Sequence, residues 1–102
     1  MTIERITELQ EAHGLKQMQD LINSGDAWRL EGSYGRAAMA NLESGACMLP
    51  TESHRDYYGN TVPSRDMLQD GSKGTLQNSI NFWTDFEDGT IDIEGDEYGD
   101  DD

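Results

Sequence analysis

The sequence predicts a mostly α-helical fold, α or α+β in class: one small domain of three to four helices with a long ordered loop and an acidic C-terminal tail. Three observations carry this reading. Apolar residues recur at helical spacing in separate stretches, Gly and Pro gather between residues 50 and 74, and acids crowd the chain after residue 84.

The first helix is expected over Ile3 to Ala12. Thr2 is the earlier N-cap candidate, and Thr7 with Gln10 would form a capping box if the helix began later. His13-Gly14 marks its stop. Leu15, Met18, Leu21 and Ile22 then fall at i, i+3, i+6 and i+7, an apolar stripe that Ser24-Gly25 ends. Ala27 to Leu30 fits a helical turn or a short strand. Gly32-Ser33 supplies a break and an N-cap, and a further helix is expected from Tyr34 to Leu49, weakened by Gly45 and closed by Pro50. Residues 50–74 hold Pro50, Gly59-Asn60, Pro63, Asp70-Gly71 and Gly74, which reads as a long loop with room for one short hairpin. Thr75 caps a last helix, with Leu76, Ile80 and Trp83 on its buried face and Phe82 and Phe86 on the next. The expected core is Leu9, Leu15, Met18, Leu21, Ile22, Trp28, Leu30, Met39, Leu42, Leu49, Ile80 and Trp83.

The chain has 102 residues, enough for one domain and one modest core. Its hydrophobic share of 34% is low, so part of it should lie outside that core. The formal net charge is −14, unevenly spread. Residues 85–102 hold ten acids and no base: Asp85, Glu87, Asp88, Asp92, Glu94, Asp96, Glu97, Asp100, Asp101 and Asp102. Residues 1–84 hold 11 acids and all seven bases, a net −4. The division expected is a helical globular domain over residues 1–88 and an acidic tail over 89–102. That tail has too few apolar groups to offset its ordering entropy.

Such a field repels nucleic acid and anionic membranes and favours basic partners. The single cysteine, Cys47, excludes an internal disulfide and fits a reducing compartment. The first ten residues lack the apolar core of a signal peptide, and no stretch approaches the ~20 apolar residues that span a bilayer.

Several motifs fail on their chemistry. Leu9 to Leu15 resembles a helix-turn-helix, but Gln10 stands where small alanine permits close packing. The second helix would also have to bury Asp20, and it offers only Lys16 to phosphate. His54-Arg55-Asp56 with Asn60 resembles a kinase catalytic loop with the asparagine one residue early. Asp88 to Asp92 resembles an EF-hand centre, yet the frame puts Thr84, Phe86 and Gly95 at ligand positions. Cys47, His13 and His54 form no zinc spacing, so no metal or cofactor is expected. Cys47, beside Ala46 and Met48 on the expected helix, reads as a small buried thiol. Inside the long loop, His54, Asp56, Tyr57, Tyr58 and Asp66 are the residues around which a site would centre. Self-capping of turns by Asp and Asn is the favoured account of their presence.

Four stretches carry a family resemblance: Trp28 to Arg36, Leu42 to Leu49, His54 to Arg65 and Gly71 to Gly74. Together they resemble a group of small uncharacterised proteins encoded by tailed phages of actinobacteria, over roughly residues 15–75. The resemblance implies a phage origin and a host-cytoplasmic setting, and assigns no catalytic residue. With the charge, it points to a non-enzymatic accessory protein that covers a basic, nucleic-acid-binding surface of a host protein, such as a defence nuclease, by acidic mimicry. The ten acids of residues 85–102 would supply the contacts. A virion structural or assembly protein is the alternative.

Overall fold

In a computed structural model, residues 1–30, 32–56 and 58–89 are described. Helix α1 spans Ile3–Ala12, α2 Lys16–Ser24, α3 Gly32–Ser44 and α4 Leu76–Glu87. A 3-10 turn, Asp26–Trp28, links α2 to α3. Strands β1 (His54–Arg55) and β2 (Thr61–Val62) pair antiparallel, with His54 opposite Val62 and Arg55 opposite Thr61. The expected class therefore stands: the described residues form four helices, a long loop, and one short hairpin within it. Acids 92–102 of the expected tail lie outside the described residues.

Local chemistry explains the helix ends. Thr2, not Thr7, caps α1, its side chain accepting from the Arg5 N–H. Thr75 caps α4 in the same way through Asn78 N–H. Gly25 takes φ +87° after α2, a left-handed stop. Ser33 lies inside the first turn of α3, so it is not that helix's cap.

Helix α3 ends five residues before the expected Leu49. Gly45 adopts φ +99°, and a Cβ there would lie 2.7 Å from Phe82 Cβ and 2.9 Å from the Asn78 carbonyl oxygen. The residue that weakened the helical pattern is thus the residue that ends the helix, where the backbone runs against α4.

From Ala46 to Pro50 the chain is buried and non-helical. Its side chains alternate as in a strand. Ala46 and Met48 join Ile6, Leu9 and Trp83 in one apolar cluster, while Cys47 and Leu49 join Ile22, Ala27, Ala38, Leu42 and Val62 in another. The segment is the partition between two half-cores, one built on α1 and α4, the other on α2, α3 and the hairpin.

A buried extended segment outside any sheet must find other partners for its backbone. Loop backbone provides some, the Cys47 N–H donating to the Asn41 carbonyl and the Leu49 N–H to that of Gly74, and side chains provide others. Gln19 grips Met48 on both sides: its Oε1 accepts from the Met48 N–H at 2.8 Å and its Nε2 donates to the Met48 carbonyl at 2.8 Å. Gln10 Nε2 donates to the Ala46 carbonyl at 3.0 Å and to Gln19 Oε1 at 2.9 Å. Trp83 Nε1 donates to the same Ala46 carbonyl, and Ser79 Oγ to that of Gly45. Arg65 Nε donates to the Leu49 carbonyl at 2.8 Å. Gln19 thereby does the work of a neighbouring strand.

Of the expected core, Leu9, Ile22, Leu42, Leu49 and Trp83 are buried, and Leu15, Met18, Leu21, Trp28 and Ile80 are half-buried against the clusters. Leu30 and Met39 are corrections: both are exposed, at 49%. Leu30 follows the 3-10 turn and borders an open hollow beside Ala27 and Trp28 instead of entering the core. Met39 lies one residue off the row Ala38 and Leu42 by which α3 packs inward.

Candidate functional site

Two regions bear on function: the hairpin loop with its titratable residues, and the face where α1 meets the end of α4.

In the hairpin, Asp56 serves its own turn. Its Oδ1 accepts from the backbone N–H groups of Tyr58 at 2.9 Å and Asn60 at 2.8 Å. His54 Nε2 lies 2.7 Å from the Asn23 carbonyl, which fastens the hairpin to the end of α2. Asp66 Oδ1 accepts from Ser64 Oγ at 2.6 Å. Asp56 borders a hollow of about 330 Å³ with Trp28 and Thr61, whereas Asp66 borders another of about 370 Å³ with Ile3, Thr51 and Leu76. The loop residues are thus dispersed in local structural bonds. Tyr58 is 84% exposed, and Tyr57 lies outside the described residues. Among the described residues, no group of three His, Cys, Asp or Glu could hold a metal ion.

Cys47 is fully buried in the partition segment, not on a helix as expected. Burial pushes its thiol up to about 12, so it is protonated and unreactive at neutral pH. Burial also lowers the Arg65 guanidinium from its usual value, an effect opposed by the nearby Asp66 carboxylate.

The acidic face is built by two helices. Glu4, Glu8 and Glu11 fall at i, i+4 and i+7 of α1, all exposed on one side. Asp85 and Glu87 lie in the last turn of α4, with Asp88 at its C-cap, and no base accompanies them. A helix C-terminus is negative, so these acids sit where the dipole disfavours them. Arg5 bridges the two helices. Its Nε donates to Glu87 Oε2 at 3.1 Å and its Nη1 to Glu8 Oε1 at 3.1 Å, and hydrogen bonding to Glu87, then Glu8, raises its pKa. Glu87 is thus engaged within the fold, while Asp85 and Asp88 are exposed and make no ion pair among the described residues. Asp92, Glu94, Asp96, Glu97, Asp100, Asp101 and Asp102 lie outside the described residues. His13 closes this face from the other end of α1, its ring 4.8 Å from Phe86 edge-on and 5.9 Å from Trp83.

Residues 1–62, running from α1 through β2, match the family described as a domain of unknown function (DUF7417). The chain belongs to this family. No curated protein and no solved structure matches it. The DUF7417 match takes in Gln10, Gln19 and the whole partition segment, while Trp83 of α4 and the acids Asp85, Glu87 and Asp88 follow it in the chain.

Sequence reasoning missed the glutamine grip. A signal existed: Gln10 follows Ile6 and Leu9 at i+4 and i+1, and Gln19 precedes Ile22 by three, so both stand in apolar rows. A polar residue in such a row is buried with a partner or misplaced. Here each has its partner, and no buried side-chain polar atom among the described residues lacks one.

Proposed function

We propose that this protein is a phage accessory protein that acts in the host cytoplasm, binding and blocking a basic, nucleic-acid-binding surface of a host protein such as a defence nuclease. It acts as a binder, not an enzyme, and needs no cofactor. The observation that carries the reading is the placement of Asp85 and Asp88. They stand exposed at the negative end of α4, beside the acidic row of α1, in a chain of net charge −14. Acids that oppose the local dipole cost the fold stability, and a basic partner would recover that energy on contact. Carboxylates spaced along a surface replace phosphates at Lys and Arg sites, and the field of the whole chain speeds encounter. The phage setting rests on the resemblance over residues 15–75. No helix among the described residues is long and apolar enough to cross a membrane.

The test is capture from host lysate at low and high salt, followed by competition. The partner should be released as salt rises, and the purified partner should lose nucleic acid when this protein is added. No specific partner, or one whose binding ignores salt, overturns the reading. Stoichiometric recovery of the protein from purified virions would instead favour a structural or assembly role.

A further inference from the structure

Helix α3 packs inward through one narrow row, Ala38 and Leu42. About a third of a turn round, Gly32, Gly35, Arg36, Met39, Ala40 and Glu43 fall at i, i+3, i+4, i+7, i+8 and i+11, the spacing of a helix-pairing seam. Among the described residues, Gly32, Arg36, Met39, Ala40 and Glu43 of this stripe are exposed. With Trp28 on its flank it lines an open hollow of about 450 Å³, and Met39 is 49% exposed at its centre. Gly35, half-buried, marks the edge where the stripe meets the 3-10 turn, its would-be Cβ at ordinary contact distance, 3.7 Å, from the Ala27 carbonyl oxygen.

The charges on the stripe point to what covers it. Arg36 and Glu43 are equidistant from the point midway between Met39 and Ala40, each about 5 Å away along the helix axis. A two-fold axis through that point, perpendicular to the helix, sets Arg36 opposite Glu43 of a second copy and Glu43 opposite its Arg36. It also brings Met39 against Ala40, a large side chain facing a small one. The two residues make no ion pair with each other within one chain. A self-complementary stripe of this kind is what a closed, isologous dimer requires. Among the described helices, Arg5 of α1 and Lys16 of α2 are already paired with carboxylates of their own chain, whereas Arg36 makes no ion pair with a described residue.

We infer that α3 is a homodimerisation seam, two copies pairing antiparallel through Met39 and Ala40 with reciprocal Arg36–Glu43 contacts.

The experiment is sedimentation velocity on the full chain at 0.15 M salt, where the Debye length is about 8 Å and close pairs outlast the general repulsion. A concentration-dependent dimer is expected in the micromolar range, on the order of transient interfaces. Met39→Glu should abolish it while the helical circular dichroism stays unchanged, since the side chain is exposed. Arg36→Glu and Glu43→Arg should each weaken it at least ~10-fold, because each turns two attractions into two repulsions. An equimolar mixture of these two variants should recover dimers, since one then carries two acids and the other two bases at the seam. A chain that stays monomeric up to millimolar concentration overturns the inference. So does a mixture no better associated than either variant alone.

Discussion

Replacing Gly45 by alanine tests the meeting of α3, the partition segment and α4 at one point. Two costs arise. The backbone must keep φ +99°, where an L-residue with a Cβ loses about 1–2 kcal/mol. The new methyl must also fit 2.7 Å from Phe82 Cβ and 2.9 Å from the Asn78 carbonyl oxygen. Both neighbours belong to α4, one of them backbone, so they cannot swing aside; overpacking of this kind costs about 1–3 kcal/mol more. The total, about 2–5 kcal/mol, is a large part of the 5–15 kcal/mol that holds a typical domain.

Two other glycines separate the terms. Gly59 has φ +85° and nothing within 4 Å of its would-be Cβ, so Gly59→Ala carries the conformational cost alone. Gly74 has φ +90° with Leu49 Cγ at 2.6 Å, a side chain that can yield in part, so Gly74→Ala should fall between. Urea unfolding followed by the fluorescence of Trp83, which is fully buried, reads all three. With a slope of about 1–3 kcal/mol per molar urea, the additional ~1–3 kcal/mol of overpacking should lower the Gly45→Ala midpoint by roughly 0.3–3 M relative to Gly59→Ala. Equal midpoints for these two variants would refute the close approach of α3's end to α4.

Three further outcomes follow from the same contacts. Gln19→Leu strands the Met48 N–H and carbonyl in the core, which should cost about 2–5 kcal/mol and speed hydrogen exchange at the Met48 amide far more than at α1 amides. Cys47 has a folded pKa raised from 9.0 to about 12, so its contribution is complete below pH 9 and lost as pH rises towards 12; stability of the wild type should fall more steeply over that window than that of Cys47→Ala, and a thiol reagent should react only as fast as the fold opens. Deleting residues 89–102 removes seven acids and no base and moves the charge from −14 to −7; folding stability should change by no more than about 1 kcal/mol, while association with a basic partner slows and loses part of its salt dependence.

Much of the helical framework was legible because periodicity and caps agree where they are strong. Thr2, Gly25 and Thr75 end their helices by ordinary capping chemistry, and the rows through Leu9, Ile22 and Trp83 face the core as their spacing requires. Helix α3 was less legible because alanines dominate it. With Ala37, Ala38 and Ala40 alike in hydropathy, nothing local says whether Met39 or Ala38 faces inward, and the contact with the 3-10 turn decides. The overrun to Leu49 has a similar cause: Ala46 and Leu49 fit a helix by spacing, but Ala46, Cys47, Met48 and Leu49 are all buried, as a strand between two cores requires. The hairpin aspartate was legible as a turn residue and is one. The acidic row of α1 was visible as charge but not as a surface, because its continuity with α4 depends on the long-range contact of Arg5 with Glu87.

The two surfaces also constrain each other. Arg5, Lys16 and Arg29 pair with carboxylates of their own chain, and Arg65 turns inward to the Leu49 carbonyl, so most of the cationic charge is spent within the fold. The remaining bases are Arg36, matched by Glu43 along the α3 stripe, and the exposed Arg55 and Lys73 of the long loop, so the face built on α1 and α4 is acidic. The acidic face is built on the α1–α4 pair, whereas α3 packs on the 3-10 turn, so pairing through α3 leaves the acidic face of each copy open. A dimer would then present two acidic faces, and a target with two basic sites within reach would bind by avidity, which can strengthen attachment 10²–10⁴-fold, in order of magnitude, without a new contact. The monomeric Met39→Glu variant separates the two properties. Its affinity for a single basic site should match the wild type within about twofold, while its residence on a surface densely coated with the partner should shorten at least ~10-fold. Equal residence of both proteins on that surface would show that the two faces do not act together.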